Sequence, residues 1–316
     1  MAIDPAAGLH LLTEVGYLTK VREMKQLVAQ IRSFNREITR RVGVLNGSFL
    51  GGGLPLGQAR LLFEIGNGVS QVRRLRRKLG LDSGYVSRML RALEKKALIE
   101  TKVDVDDARV RVAHVTAAGR AKLLELGRRS DVGAAAWLAP LSARRQQRLV
   151  SAMAEVESLL RASEIEIDRV SSRSEPARWC LGQYFGELEA RFEGGFDPDL
   201  AISATADELT RPAGYFFLAT MLDEPVGCGA LKLTGKGVGE VKRMWVSQEV
   251  RGLGVGRRIL AAIEAQARRC DVGLLRLETN RSLTEAQALY RKSGFLEVDA
   301  FNEERYAHFW FEKSLD

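Results

Sequence analysis

The stretch that decides how this chain reads is Lys242–Leu260, KRMWVSQEVRGLGVGRRIL, where an apolar, strand-like run meets a helix-like run. Between them Gly252, Gly254 and Gly256 stand at alternate positions, with Arg251 and Arg257 on either side. A strand, then glycines, then a helix brings backbone N–H groups together at a helix N-terminus, where unpaired donors and a partial positive charge favour anions. Any side chain larger than hydrogen at those positions would hold the backbone off a phosphate. The spacing is neither the G-x-G-x-x-G of a dinucleotide turn nor a loop ending in GK[ST]. It reads as an anion site suited to a pyrophosphate, although glycines of this kind also serve as a plain helix start.

Around that stretch the pattern is mixed. GYFFLAT and EPVGCGALKL flank the turn MLDE as a hairpin, GVGEVKRMWV is a further strand, and LLRLETN, FLEVDAF and HFWFEKSL follow. Helical PARWCLGQYFGELEARF precedes them, and LGVGRRILAAIEAQARR and TEAQALYRKSG lie between some of them. The result is an α+β domain over 165–316.

Residues 17–162 are mostly helical. Val21, Met24, Val28, Ile31, Phe34 and Ile38 recur at three- and four-residue steps as one amphipathic helix, which SFLGGGLPL breaks. GQARLLFEIGN is a second helix, closed by Gly66 and Asn67. SQVRRLRRKLGLD, capped by Ser70, and SGYVSRMLRALEKKALI, capped by Asp82 or Ser83, are joined by a tight turn and suit a helix-turn-helix. Val103/Val105 and Val110/Val112 alternate around an acidic turn as a β-hairpin, and helix resumes from TAAGRAKLLEL to about Arg161. With Val86, Leu90 and Leu93 facing the core, Ser83, Tyr85, Ser87, Arg88 and Arg91 are offered to a major groove. There arginine bonds guanine bidentately, while serine and tyrosine position on phosphate. Arg109 at the hairpin tip is placed for the minor groove, and Arg73, Arg74, Arg76, Arg77 and Lys78 read equally well as a solvated helix face.

Charge divides the chain at the same place. Residues 1–163 carry 28 Lys and Arg against 15 Asp and Glu, a balance of +13, and residues 164–316 carry 20 against 25, a balance of −5. A basic half joined to an acidic half is expected of a nucleic-acid-binding domain with a second function. At 316 residues the chain suits two domains. No apolar run approaches the roughly 18 residues of a membrane span, and no secretory signal is expected. Three scattered cysteines and three histidines argue for a reducing cytoplasm and against a disulfide framework or metal site.

The first half resembles the MarR family of winged-helix regulators, through IRSFNREITRRVGVL, GYVSRMLRALEKKALI and DARVRVAHVTAAG in that order. The resemblance implies a homodimer built from the terminal helices, with one recognition helix in each half-site of a pseudo-palindromic double-stranded operator. The family usually has Gly where Ala97 stands, a departure confined to fold detail.

Arg251-x-x-Gly254-x-Gly256 after EVKRMWV, followed by LETN and ALYRKSGF, resembles the GNAT acyltransferase superfamily. That implies acetyl-CoA as donor, its pyrophosphate on the amides of Arg251, Gly252, Leu253, Gly254, Val255 and Gly256, and its pantetheine arm beside Met244, Trp245 and Val246. Lys292 would reach the CoA phosphates. Glu240 matches the position of a general base that strips a proton from an amine, and Tyr290 that of a phenol serving the departing thiolate. A backbone N–H near Val246 would stabilise the oxyanion. Many members have an asparagine about seven residues before the tyrosine. Here Leu283 and Thr284 stand there, and Asn280 either substitutes or caps a turn. Cys228 reads as a buried structural cysteine. Asn302, Tyr306 and His308 are candidates for the acceptor pocket.

The fold expected is therefore two domains, a mainly α winged helix-turn-helix followed by an α+β GNAT fold. The leading function is a DNA-binding regulator that is also an N-acetyltransferase of a small amine or amino acid, without metal and without membrane attachment. The alternatives are a regulator whose second half only senses acyl-CoA or a ligand, and a protein-lysine acetyltransferase.

Overall fold

The computed structural model describes residues 5–43, 47–104, 110–202 and 204–315. The chain divides into two compact units at Gln146–Gln147.

In the first unit α1 spans Pro5–Val42, α2 Leu56–Gly66, α3 Val72–Lys78 and α4 Ser83–Lys95, and strands β1 (Ile99–Val103) and β2 (Arg111–Val115) pair antiparallel before α5, Ala117–Leu138. Leu61, Leu62, Leu75, Val86, Leu90 and Leu93 close one core under α2, α3 and α4. Asp82 is the cap of α4, its Oδ1 accepting the Tyr85 N–H at 2.8 Å. Ser70 caps nothing: α3 starts after Gln71, and the Ser70 carbonyl takes the Ala113 N–H instead, at 2.8 Å. Ala97 ends α4 at φ 54°, with Ala97 N–H to Glu94 and Leu98 N–H to Leu93 closing a Schellman turn. A left-handed residue carrying a Cβ costs about 1–2 kcal/mol, which is why glycine is the usual occupant. The hairpin tip, and Arg109 with it, lies outside the described residues.

The helix expected to run from the hairpin to Arg161 is two helices. Pro140 interrupts it, and α6 spans Ala143–Ser163. The division falls within α6, ahead of the boundary expected near Ser163, and inside the second unit Arg258 donates to the carbonyls of Ala162 (2.8 Å) and Ile165 (2.6 Å). Apolar side chains stay exposed along α1 (Met24, Leu27, Ile31) and along α6 (Val150, Leu159, Leu160).

The second unit is a seven-stranded sheet in the order β3-β4-β5-β6-β7-β9-β8, antiparallel except for the β6–β7 pair. The strands are β3 Ile165–Val170, β4 Gly214–Met221, β5 Glu224–Gly235, β6 Val238–Val246, β7 Leu274–Thr279, β8 Leu296–Val298 and β9 Phe309–Ser314. Helix α7 (Glu175–Arg191) covers β5 and β6 on one face through Ala177 and Cys180 against Cys228, Ala230 and Trp245. On the other face α8 (Val255–Arg268) buries Ile259, Leu260 and Ile263, and α9 (Thr284–Lys292) adds Tyr290. A Cβ on Gly229 would stand 2.6 Å from both Ile259 Cγ2 and Met244 Sδ, so glycine sets how closely α8 approaches. Among the described residues no helix is long and apolar enough to cross a membrane.

Candidate functional site

Strands β6 and β7 pair only over Val238–Glu240 with Leu274–Arg276. One step further along β6 the register with β5 jumps from Lys242↔Ala230 to Trp245↔Cys228, so Arg243 and Met244 form a bulge, with Arg243 at φ 59°. A bulge bends its strand and increases the local twist. Beyond Glu240 no strand among the described residues pairs with the β7-facing edge of β6, and two adjoining cavities fill the opening.

The larger cavity, about 400 Å³, is lined by Met244, Trp245 and Val246 of β6 and by Arg251, Gly252, Gly254, Val255 and Gly256. Gly252 and Gly254 adopt φ 84° and 76°, and a Cβ on either would project into open space. Among the described residues no backbone carbonyl accepts the N–H groups of Gly252, Gly254, Val255 or Gly256. Open glycines and orphan donors at the start of α8 fit a pyrophosphate. Arg251 lines this cavity but is committed: its Nη2 holds both oxygens of Glu187 (2.8 and 2.6 Å) and its Nε the Val246 carbonyl (3.0 Å). Glu187 also accepts from Trp245 Nε1 (3.0 Å) and Arg191 (3.0 Å), so this α7 carboxylate anchors the loop to β6. Leu253 packs against the core, while Arg257 and Lys292 are exposed outside both cavities.

The smaller cavity, about 100 Å³, lies between Lys242, Arg243 and Met244 of β6, Glu278, Thr279 and Asn280 at the end of β7, and an aromatic wall of Phe192, Phe196 and Tyr306. The Tyr306 ring lies tilted against Phe196, 4.9 Å between centroids, and its hydroxyl accepts the Asp197 N–H at 3.0 Å. Of the three acceptor-pocket candidates only Tyr306 is here. Asn302 takes the Trp310 indole N–H at 2.8 Å, and His308 donates its backbone N–H to Thr279, so both are built into the sheet end. Asn280 belongs to this cavity and not to the larger one. Its Nδ2 holds the Tyr306 carbonyl (2.7 Å) and its Oδ1 the Ser282 N–H (2.9 Å), which makes it a turn cap.

Six residues line both cavities: Tyr184, Leu188, Met244, Leu283, Ala286 and Tyr290. The common wall is where a group would pass from one cavity to the other. Tyr290 is 5% exposed, and burial, with Tyr184 and Glu278 nearby, pushes its phenol well above the ordinary value.

Glu240 does not reach either cavity. It stands at the last paired position of the wedge, where Arg276 Nε (3.1 Å) and Nη2 (2.7 Å) hold its Oε1 and Lys242 Nζ lies 3.4 Å from Oε2. Burial raises its pKa, but the charges of Lys242 and Arg276 outweigh that and hold it below the ordinary carboxylate value. Two carboxylates do line the smaller cavity, Glu304, which accepts the Ile202 N–H (2.6 Å), and Glu278. Oε1 of Glu278 pairs with Lys242, and its Oε2 is buried without a hydrogen-bond partner. Nothing in the strand pattern singles out Glu278, although Arg276 and Glu278 put two charges on one face of a strand flanked by β6 and β9. Cys228 is fully buried outside both cavities, consistent with a structural role.

On the first unit Ser83, Tyr85, Arg88 and Arg91 are exposed along α4, while Ser87 is half-buried and donates to the Ser83 carbonyl at 2.8 Å. Arg88 lies over the Tyr85 ring, 5.7 Å from its centroid.

Two family models match the chain: the MarR family over residues 52–110 and the acetyltransferase (GNAT) family over 183–295. A curated relative, the IAA acetyltransferase of Azospirillum brasilense, is 43% identical over 131 residues, 41% of this chain and 86% of its own. Among solved structures, a GNAT-family acetyltransferase of Staphylococcus aureus MU50 is 18% identical and covers 48% of this chain and 99% of its own, with a TM-score of 0.41. The ribosomal-protein-S18-alanine N-acetyltransferase of Escherichia coli is 16% identical, with coverages of 48% and 94% and a TM-score of 0.36.

Proposed function

The chain belongs to the acetyltransferase (GNAT) family, with a MarR-family domain ahead of its N-acetyltransferase domain, and from that premise we propose a DNA-binding regulator that transfers acetyl from acetyl-CoA to a small amine or amino acid. The observation that carries the enzymatic half is the common wall, which sets Tyr290 between a cavity with orphan N–H groups and a cavity lined by the Glu278 carboxylate.

Acetyl-CoA supplies an acyl group activated as a thioester. The glycine loop binds the pyrophosphate, and the free edge of β6 at Met244–Val246 aligns the arm. Glu278, in the place expected of Glu240, receives a proton from the incoming ammonium, since an amine must lose one before it can attack. As the new C–N bond forms and the C–S bond breaks, the nitrogen gives up a second proton. One proton ends on the CoA sulfur and the other passes to solvent. Tyr290 donates a hydrogen bond to the departing sulfur. Its raised pKa, set against about 8.5 for an ordinary thiol, means that it keeps its own proton while doing so.

Gly254→Glu tests the donor site. A carboxylate at the start of α8 would occupy the phosphate position, so calorimetric binding of acetyl-CoA should vanish; unchanged affinity would overturn the assignment. For the first unit, Arg88→Ala should weaken a duplex selected from a random library by about ten- to a hundredfold, the worth of one bidentate base contact, without slowing acetyl transfer. Equal loss of both activities would mean that the two functions are not separable. The exposed apolar stripe of α1 supports a homodimer, which Ile31→Glu should dissociate in sedimentation equilibrium.

A further inference from the structure

The charged side chains on the smaller cavity are engaged within the protein. Lys242 pairs with Glu240 and Glu278. Glu304 accepts the backbone N–H groups of Ile202 (2.6 Å) and Tyr306 (3.2 Å). Arg243 donates to the Ala204 carbonyl at 3.2 Å and lies over the rings of Phe185 and Tyr184. The aromatic wall is a different kind of surface. Phe192 and Phe196 meet edge to face at 5.6 Å, and Tyr306 lies 5.7 Å from the first ring and 4.9 Å from the second. All three are half-buried, and among the described residues none of them belongs to a buried core. What holds them is polar. Glu189 of α7 accepts the Phe196 N–H (2.8 Å), the Tyr306 hydroxyl the Asp197 N–H (3.0 Å) and Glu304 the Ile202 N–H, while Asn280 donates to the Tyr306 carbonyl (2.7 Å). Side chains from α7, the end of β7 and the segment before β9 thus pin a ring-bearing backbone beside the cavity. Apolar side chains fixed in this way, outside a core and lining a cavity, are how small-molecule sites hold the unreactive part of a ligand.

We propose that the acceptor is an amine whose non-reacting part is a small apolar group, branched or aromatic, seated against Phe192, Phe196 and Tyr306. This rests on the acetyltransferase reading and names its substrate class. Apolar surface removed from water against the rings supplies the affinity, and a second ring packs offset or edge-on against an aromatic face. A polar tail would lose its hydration there and meet charged neighbours that are already paired with one another. A basic peptide would bring further cations against Lys242 and Arg243. The size agrees. At roughly 10–15 Å³ for each water-sized occupant, a cavity of about 100 Å³ holds on the order of seven to ten heavy atoms, which limits the tail to one ring or one branched chain.

The test uses the full-length protein, acetyl-CoA and two matched pairs of acceptors, 2-phenylethylamine with ethanolamine and L-leucine with L-serine, beside a lysine-rich peptide. Release of CoA thiol is the readout. In whichever pair is acetylated, the apolar member should exceed its polar partner in kcat/KM by about ten- to a hundredfold, the worth of burying one apolar side chain. Phe192→Ala and Phe196→Ala should bring that ratio close to one, and Phe196→Leu should restore most of it. Calorimetric binding of acetyl-CoA, whose cavity these rings do not line, reports whether each variant is folded. The comparison of acceptors in the wild type needs no variant at all. A polar member that matches its apolar partner, or a ratio unmoved in both alanine variants, would overturn the apolar acceptor while leaving the acetyltransferase intact. Preference for the peptide would do the same. If acetyl-CoA binds but no acceptor of any class is acetylated, the acetyltransferase reading itself fails, and the apolar acceptor with it.

Discussion

Glu240 and Glu278 differ less in chemistry than in where the sheet puts them. Both are carboxylates on the two strands of the wedge, both have side chains within a point of 9% exposed, and both touch Lys242. Glu240 stands where β6 and β7 still pair, and Arg276, its cross-strand neighbour, saturates it. Glu278 stands two residues beyond Arg276, where β6 has bent away, and one of its oxygens is left with no donor. At the closed end of the wedge a carboxylate is held by two cations, and at the open end one lines a cavity. Strand separation, more than residue type or burial, divides the two environments.

The sharpest way to break that contrast is to neutralise each carboxylate in turn. Glu278→Gln should lower kcat by about 10²–10⁴, the range for losing a positioned general base, and should lower the thermal midpoint too, since it breaks the buried pair with Lys242. Glu240→Gln should cost stability and leave turnover nearly unchanged. If Glu240→Gln proved the more damaging to kcat in a protein of unchanged stability, the roles of the two ends would have to be exchanged.

A smaller effect is expected at the common wall. Tyr290→Phe removes one hydrogen-bond donor from the departing sulfur and should lower kcat by about 10²-fold, with KM for acetyl-CoA nearly unchanged because the contact matters most as charge develops. Because burial raises the phenol above its ordinary value of 10.0, Tyr290 stays protonated through neutral pH. Any alkaline limb of the rate profile below that value should therefore survive in the Phe variant. Its disappearance would mean that Tyr290 titrates during turnover.

Much of this arrangement is legible in the residues, and what is not has a physical reason. Alternating glycines between a strand and an amphipathic helix announce an open backbone loop at the helix start, where Gly252 and Gly254 take positive φ. Tyr290 follows from its place in ALYRKSGF, and the α4 cap from Asp82. The bulge at Arg243–Met244 leaves no mark in KRMWV, since period-two alternation looks the same whether or not one residue is doubled. Without the bulge nothing tells which of two nearby carboxylates lines a cavity, so the strand pattern points to Glu240 while it is Glu278 that lines one. Tyr184 reads as one more aromatic on a helix until α7 is laid across the opening. The split between α5 and α6 is carried by Pro140 alone, within a run whose other residues are all compatible with helix.

The smallest effect expected concerns the closed end alone. Burial pushes Glu240 up, the charges of Lys242 and Arg276 pull it down further, and the net result is a folded-state pKa below the unfolded one. A depressed carboxylate adds stability at pH above its unfolded value and loses that contribution as pH falls through the folded value. The gap in stability between the wild type and Glu240→Gln should therefore be full at neutral pH and close only in acid, below the ordinary carboxylate range near pH 4. At neutral pH the gap should be about 2 kcal/mol, under the usual cost of breaking a buried pair because Arg276 is 28% exposed and water can answer its charge. Urea melts from pH 7 down to pH 3 would follow it. A gap independent of pH would mean that the substitution acts through packing and not through the ion pairs, and the closed end would then owe its stability to something other than saturation of Glu240 by its two cations.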